Sequence, residues 1–282
     1  MQRYAIIWRV IAPLQSGDAL LADVRAADPE RLHLWWLGQS GFLVAWQGAH
    51  LLLDPYLSDS LTRKYADTDK PHERMTELVV APERLDFVDA ITASHAHTDH
   101  LDPDTLRALP AVPVVAPEAQ RDLVVERSGR EPLGIDDGQT MDVAGFVITA
   151  VPAAHEAIER DGDGRMLHLG YVVRCGPFAL YHAGDTIPYD GMADRVRAVA
   201  AVDVALLPIN GRRPERRVTG NLWGDEAAEL AHAIGAHVAV PMHFETFTFN
   251  TEPPDLFAET CRRLGQPYRV LRAGERLSVG QP

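Results

Sequence analysis

One hexapeptide limits this chain more than any other feature. His95-Ala96-His97-Thr98-Asp99-His100 packs four groups able to ligate a metal into six residues, directly behind the apolar segment VDAITAS, residues 88–94. Imidazole and carboxylate both offer a lone pair near neutral pH. His95 and His97 are two apart, so an extended backbone points both to one side. Asp99 and His100 follow where the chain is expected to turn. Such a run can hand two ligands to one ion and two to an adjacent one. The bland alternative is a solvated loop that is histidine-rich by chance. It fits poorly in a chain that has 12 histidines and places three of them here.

Four ligands do not complete two sites, so the fold must bring more to this strand end. Candidates stand just behind other apolar stretches: FVITAVPAAHE reaches His155, FALYHAGDT reaches Asp185 and HVAVPMHFE reaches His243. Singly, each reads as structural or surface. Together they sit where strand ends can converge on one sheet edge, a usual place for sites in α/β proteins.

The rest of the pattern suits that demand. Strands are expected at LHLWWLG, GFLVAWQ, HLLLD, VDAITAS, VPVVA, GQTMDV, FVITAVP, LHLGYVVRC, FALYHAG, VDVALLPI, HVAVP, YRVLR and GERLSV. Helices are expected at DPDTLRAL, with Asp102 as N-cap and Pro103 at the first helical position, at PEAQRDLVVERSG, at GDEAAELAHAIG and near PDLFAETCRRLG. Strands grouped in each half suggest two sheets face to face with helices outside. Residues 155–166 read as a long polar loop, and residues 55–80 as a long connection of the kind that forms lids or pocket walls. The expected organisation is a single domain over 1–282 with an N-terminal extension at about 1–30.

Composition narrows the partners. Hydrophobic residues at 46% and charged residues at 24% suit an ordinary soluble protein, and a cytoplasmic location is expected. No apolar run approaches the roughly 18 residues of a membrane span. YAIIWRVIAPL, interrupted by Arg9, does not read as a signal peptide. Cys175 and Cys261 cannot form a disulfide framework. A net charge of −13 disfavours broad nucleic-acid binding. A small-molecule substrate is expected; a homo-oligomer is compatible.

The set His95-x-His97-x-Asp99-His100, His155, Asp185 and His243 resembles the metallo-β-lactamase fold superfamily, from about Leu34 to the C-terminus. The resemblance implies an α/β fold, the four-layer αββα sandwich, with a two-metal site at the sheet edges. It implies that His95, His97 and His155 hold one ion, that Asp99, His100 and His243 hold the other, and that Asp185 bridges them. Asp54, in LLLDPYL, matches the family's acidic residue behind the site, where it would steady a ligand histidine; a plain turn residue before Pro55 is the alternative. His182, in YHAGDT, has the same two readings, behind the site or in the core. His168 reads as structural or surface.

Where flavodiiron proteins carry glutamate this chain has His97, and where many β-lactamases carry arginine and cysteine it has His100 and Asp185. An all-histidine-and-aspartate site suits a dinuclear hydrolase. LWWLGQSGFLV, DPYLS, PAAHE, GDT and LLPINGR look like the ascorbate-6-phosphate lactonase-like branch. What this implies is a hydrolase using a hydroxide shared by two divalent ions about 3.5–4 Å apart on a small anionic ester or lactone. Asp185 would bridge and Asp99 would orient the nucleophile. Zn²⁺ is the first expectation, with Mn²⁺ and Fe²⁺ open. A phosphodiesterase is the alternative enzyme; an iron dioxygenase or a non-catalytic metal protein is the alternative of another class.

Substrate residues are thinner. Arg212, Arg213, Arg216 and Arg217 crowd one loop behind VDVALLP, suited either to an anionic substrate or to a solvated, ion-paired surface. Trp35, Trp36 and Trp46 read as core. Phe244, Phe247 and Phe249 are placed to line a pocket or cover the metals.

Overall fold

The computed structural model describes residues 10–280; most of YAIIWRVIAPL therefore lies outside the described residues. The first sheet runs β13 (Arg276–Val279), β1 (Leu32–Gly38), β2 (Gly41–Trp46), β3 (Ala49–Leu53), β4 (Ala90–Thr92), β5 (Val114–Pro117), β6 (Leu133–Ile135). The second runs β12 (Val238–Met242), β11 (Val204–Pro208), β10 (Phe178–His182), β9 (Leu169–Cys175), β8 (Phe146–Pro152), β7 (Thr140–Val143). Each sheet has an antiparallel half and a parallel half: β3 to β6 are parallel neighbours, as are β10 to β12. The parallel halves matter most, because their strands all end on the same side.

Two-sided burial explains the layers. Along β1, Leu34 and Trp36 face the second sheet and share a cluster with Val172 and Tyr181. Trp35 and Leu37 face the other way and pack with Leu20, Leu21 and Leu106. Period-two alternation therefore buries both faces of the strand, as a strand between a sheet and a helix layer requires. The helices α1 (Gly17–Arg25), α3 (Pro103–Ala108) and α4 (Arg121–Ser128) supply Leu20, Leu106 and Val124 to the first sheet's outer layer. The short α2 (Ser60–Lys64) belongs to the connection after β3. Val196 of α5 (Met192–Val199), Ala227 and Ala231 of α6 (Gly224–Ile234) and Phe257 of α7 (Asp255–Leu264) close the second sheet. This is the expected αββα sandwich. The three tryptophans are core, at 0%, 2% and 8% exposure for Trp35, Trp36 and Trp46.

Local expectations meet the structure with four adjustments. Asp102 caps α3, its carboxylate accepting from Thr105 N at 3.2 Å. The helix expected at PEAQRDLVVERSG begins only at Arg121, because residues 118–120 wind as a tighter 3-10 turn. YRVLR is not a strand: Tyr268 makes one bridge with Ala239, and the chain then leaves for a turn in which Glu275 N donates to Arg272 O. Within the segment read as an N-terminal extension, α1 buries Leu20, Leu21 and Val24 against the first sheet. α2, α5 and β6 are not among the elements expected from the sequence; each is too short to show a period of its own. Among the described residues, no helix is long and apolar enough to cross a membrane.

Candidate metal centre

The site lies where five strand ends meet. Asp54 follows β3, the hexapeptide follows β4, His155 follows β8, Asp185 follows β10 and His243 follows β12. The hexapeptide turns back on itself through His100 N and Leu101 N, both donating to His97 O at 3.0 and 2.8 Å. Gln39, Asp54 and His243 all adopt left-handed backbone, with φ of 51°, 40° and 62°. Non-glycine residues hold that conformation at about 1–3 kcal/mol each, so the surroundings must impose it. Here they do: Asp54 N donates to Thr92 O at 3.0 Å, and His243 N donates to Gln39 O at 2.9 Å.

Three ligand groups result, each with its donor atoms within 4.8 Å of one another: His95, His97 and His155; Asp99, His100 and His243; and His95, His100 and Asp185. The third group takes one histidine from each of the others. Asp185 is thus central, with Oδ1 3.3 Å from His100 Nε2 and Oδ2 3.5 Å from His155 Nε2 and 3.4 Å from His243 Nε2. His95 Nε2, His100 Nε2 and Asp185 Oδ1 are buried and have no hydrogen-bond partner. Leaving a buried polar atom unpaired costs about 1–3 kcal/mol. Cations would pair all three, so the donor set fits a metal centre.

The far side of the ligands is fastened as a metal site requires. His100 Nδ1 donates to Asp54 Oδ2 at 2.6 Å, and His155 Nδ1 donates to Gly220 O at 3.0 Å. Ser94 Oγ donates to Asp54 Oδ2 at 2.5 Å and lies 3.0 Å from His95 Nδ1. Asp54 therefore reaches a histidine of each group, one directly and one through Ser94. Among the described residues, His182 makes no hydrogen bond to a candidate ligand. Its Nε2 donates to Ser40 O at 2.8 Å and its Nδ1 accepts from Gly184 N at 3.2 Å, which fixes the turn carrying Asp185.

Packed this closely, the groups perturb one another. Burial pushes the Asp99 and Asp185 carboxyls up, but His100 and His243 beside them overcome it and hold both far below the carboxylate range. Burial pushes His100 and His243 down, but Asp185 and Asp99 win; His100 is raised well above its ordinary value and His243 to about 9. For His95 the Asp185 carboxylate is outweighed. Burial and then His100, His97 and His155 push it well down.

A cavity of about 250 Å³ opens over Asp99, Asp185 and His243. Lys64, Tyr65, Lys70 and His72 wall it from the connection after β3, with Phe247 and Phe249 beside His72. Phe244 is instead core, stacked on Trp36 at 4.7 Å. The four arginines expected to hold a substrate anion do not line this cavity, and carboxylates occupy them. Arg212 pairs with Glu226, Arg213 and Arg216 with Glu252, and Arg217 with Asp69. Arg212, Arg213 and Arg217 line a neighbouring hollow that meets the first at His155, Val218 and Thr219.

Several site residues escaped the sequence reading. Gln39 Nε2 donates to Asp99 Oδ2 at 2.8 Å, yet a glutamine in a strand-to-strand turn carries no metal-site signal. Ser94 adjoins the motif and was legible only as its strand end. His168, read as structural or surface, is buried with its ring 5.2 Å from that of His95 and 5.5 Å from that of His155. Burial and then His155 and His97 push it down to about 4.

The fold and the site define a class, and the comparisons agree with it. A family model for the β-lactamase superfamily domain matches residues 50–244, and the chain belongs to that superfamily. An UPF0173 metal-dependent hydrolase of Opitutus terrae is 31% identical over 253 residues, covering 88% of this chain and 100% of the relative. Another from Thermoplasma acidophilum is 30% identical over 237 residues, covering 84% and 93%. The solved structure of Igni18, a metallo hydrolase of Ignicoccus hospitalis, superposes with a TM-score of 0.66 at 23% identity, covering 89% of this chain and 100% of that one. Within the superfamily, the chain is a metal-dependent hydrolase.

Proposed function

We propose that this hydrolase uses two divalent ions to cleave a small anionic ester or lactone, with a phosphorylated sugar lactone, as in the ascorbate-6-phosphate lactonase-like branch, as the specific candidate. One observation carries the dinuclear reading: the Asp185 carboxylate stands within 3.5 Å of histidines from both ligand groups. His95, His97 and His155 would hold one ion, Asp99, His100 and His243 the other, and Asp185 both. Nitrogen and oxygen donors of this kind suit Zn²⁺, and Mn²⁺ or Fe²⁺ are compatible. When bound, the pair supplies Lewis acidity and a water acidic enough to give hydroxide at neutral pH.

The chain's own residues do the rest. Gln39 holds one oxygen of Asp99, leaving that ionised carboxylate oriented at the cavity floor, where it can align the attacking water. Lys64 and Lys70 put positive charge on the wall and can hold the substrate's anionic group. The arginine loop is a poorer candidate, since an anion there must displace Glu226, Glu252 or Asp69.

Elemental analysis of protein purified without added metal, followed by a metal-dependent screen of lactones and phosphodiesters, tests the proposal. Two ions per chain, with at least one lost in Asp185→Ala, is the expected result. A fully retained pair in that variant sinks the bridging role. Turnover of phosphodiesters alone shifts the reading to the alternative hydrolase. Oxygen consumption by an iron-loaded protein without hydrolysis overturns it.

A further inference from the structure

His72 stands out among the residues walling the cavity, because it is held from every side and yet keeps one nitrogen free. Its backbone carbonyl accepts from Thr62 Oγ1 at 2.6 Å. Its ring stacks on Tyr65 at 4.6 Å between centroids and meets the edges of Phe247 and Phe249 at 5.3 and 5.1 Å. The segment behind it is strapped to the loop that follows His243. Met75 N donates to Thr246 O at 2.8 Å, Thr248 N donates to Glu73 O at 2.9 Å, and Arg74 bridges Phe247. Two segments far apart in the chain but paired side by side thus fix one imidazole on the cavity wall.

The ring's chemistry follows from its one hydrogen bond. Nδ1 lies 2.8 Å from Lys70 O, a group that only accepts, so Nδ1 carries the proton. In the neutral ring Nε2 must then be an acceptor. It takes no hydrogen bond from any described residue and is not among the buried unpaired atoms. Burial pushes the ring's pKa below the ordinary histidine value, which keeps it neutral at pH 7. An acceptor fixed on the wall beside Lys64, Lys70 and the aromatic rings discriminates between ligands that carry a hydrogen-bond donor at that point and ligands that do not.

We propose that His72 Nε2 accepts a hydrogen bond from a substrate hydroxyl, making the site selective for hydroxylated esters or lactones over their deoxy counterparts. This rests on the hydrolytic reading above and adds the residue that sets its specificity. His72 acts on binding; the bond that breaks and the water that attacks it are handled elsewhere in the site.

The test compares the metal-loaded protein on glucono-δ-lactone and δ-hexanolactone, which share a six-carbon skeleton with and without the additional hydroxyls. Wild type is expected to favour the hydroxylated lactone in kcat/KM. His72→Phe, which keeps an aromatic ring but has no acceptor, should lower that preference about tenfold or more, chiefly through KM. His72→Gln, whose amide oxygen can stand in for Nε2, should restore much of it. Calorimetry of gluconate against hexanoate binding supplies a readout without turnover, and metal content in each variant reports the integrity of the site. A preference that is absent in wild type, or unchanged in His72→Phe in both assays, overturns the proposal. If wild type hydrolyses neither lactone, the hydrolytic reading has failed on these substrates, while gluconate binding still decides the role of His72.

Discussion

His100 Nδ1 and Asp54 Oδ2 lie 2.6 Å apart, and neither side chain has any exposure to solvent. A buried carboxylate aimed at the back of this candidate ligand settles which nitrogen carries the proton and leaves Nε2 available to a cation. The same carboxylate takes the Ser94 hydroxyl, and through it steadies His95.

Asp54→Ala is therefore expected to lower metal affinity about 10- to 100-fold, the usual effect of removing such a partner. Ser94→Ala should act in the same direction and more weakly, since the direct bond to His100 survives. Competition against a chelator of known affinity measures both. An unchanged affinity in Asp54→Ala would return that residue to the role of a turn former.

Without metal, stability should depend on pH in a defined way. His243 is raised to about 9 in the folded chain, above the unfolded value of about 6.5. Its contribution is thus complete below about pH 6.5 and is lost as pH rises through 9. His95 is shifted downward, so the unfolded state binds its proton more tightly and stability falls as pH drops below about 6.5. Chelator-treated protein should melt highest near neutrality, with Tm declining towards pH 9. Metal affinity should rise over that same alkaline interval, because His100 and His243 must give up protons to bind a cation. A Tm that climbs from pH 7 to 9 in metal-free protein would contradict the assignment.

Gly184 is tuned to the site. Its φ is +61°, and a Cβ there would lie 2.6 Å from Leu169 O and 2.9 Å from Ser94 Cβ. Neither neighbour is the free end of a flexible side chain. Gly184→Ala should lose more than about 2 kcal/mol and displace Asp185. Calorimetric unfolding and metal analysis together check this; retained stability with full metal content would refute it.

The lysines of the cavity should matter more for an anionic substrate than the arginine loop. Lys64→Ala or Lys70→Ala is expected to raise KM for a phosphorylated lactone about tenfold, with kcat little changed. Arg213, exposed and already paired with Glu252, should alter KM by less than about twofold. Steady-state kinetics on phosphorylated and uncharged lactones separate the two, and a large KM effect in Arg213→Ala alone would reverse the assignment.

The sequence by itself determined which residues are candidate metal ligands and behind which strands they stand. His95 to His100 announce themselves by density, and His155, Asp185 and His243 by standing behind apolar runs. Strands buried on both faces made the sandwich legible as well, since a short continuous apolar run is a local property of the chain. Proximity is not local. Only the tertiary structure decided that Asp185 lies between two histidine groups, that Gln39 reaches Asp99 across 60 positions, and that the arginines turn to Glu226, Glu252 and Asp69. His72 and His168 show the same limit. Nothing around either of them in the chain distinguishes it from a surface histidine, and each gains its meaning from rings contributed by other elements. A side chain's chemistry is written in its type, but its pKa, its partners and its access to a cavity depend on groups brought near by folding, which the order of residues does not state.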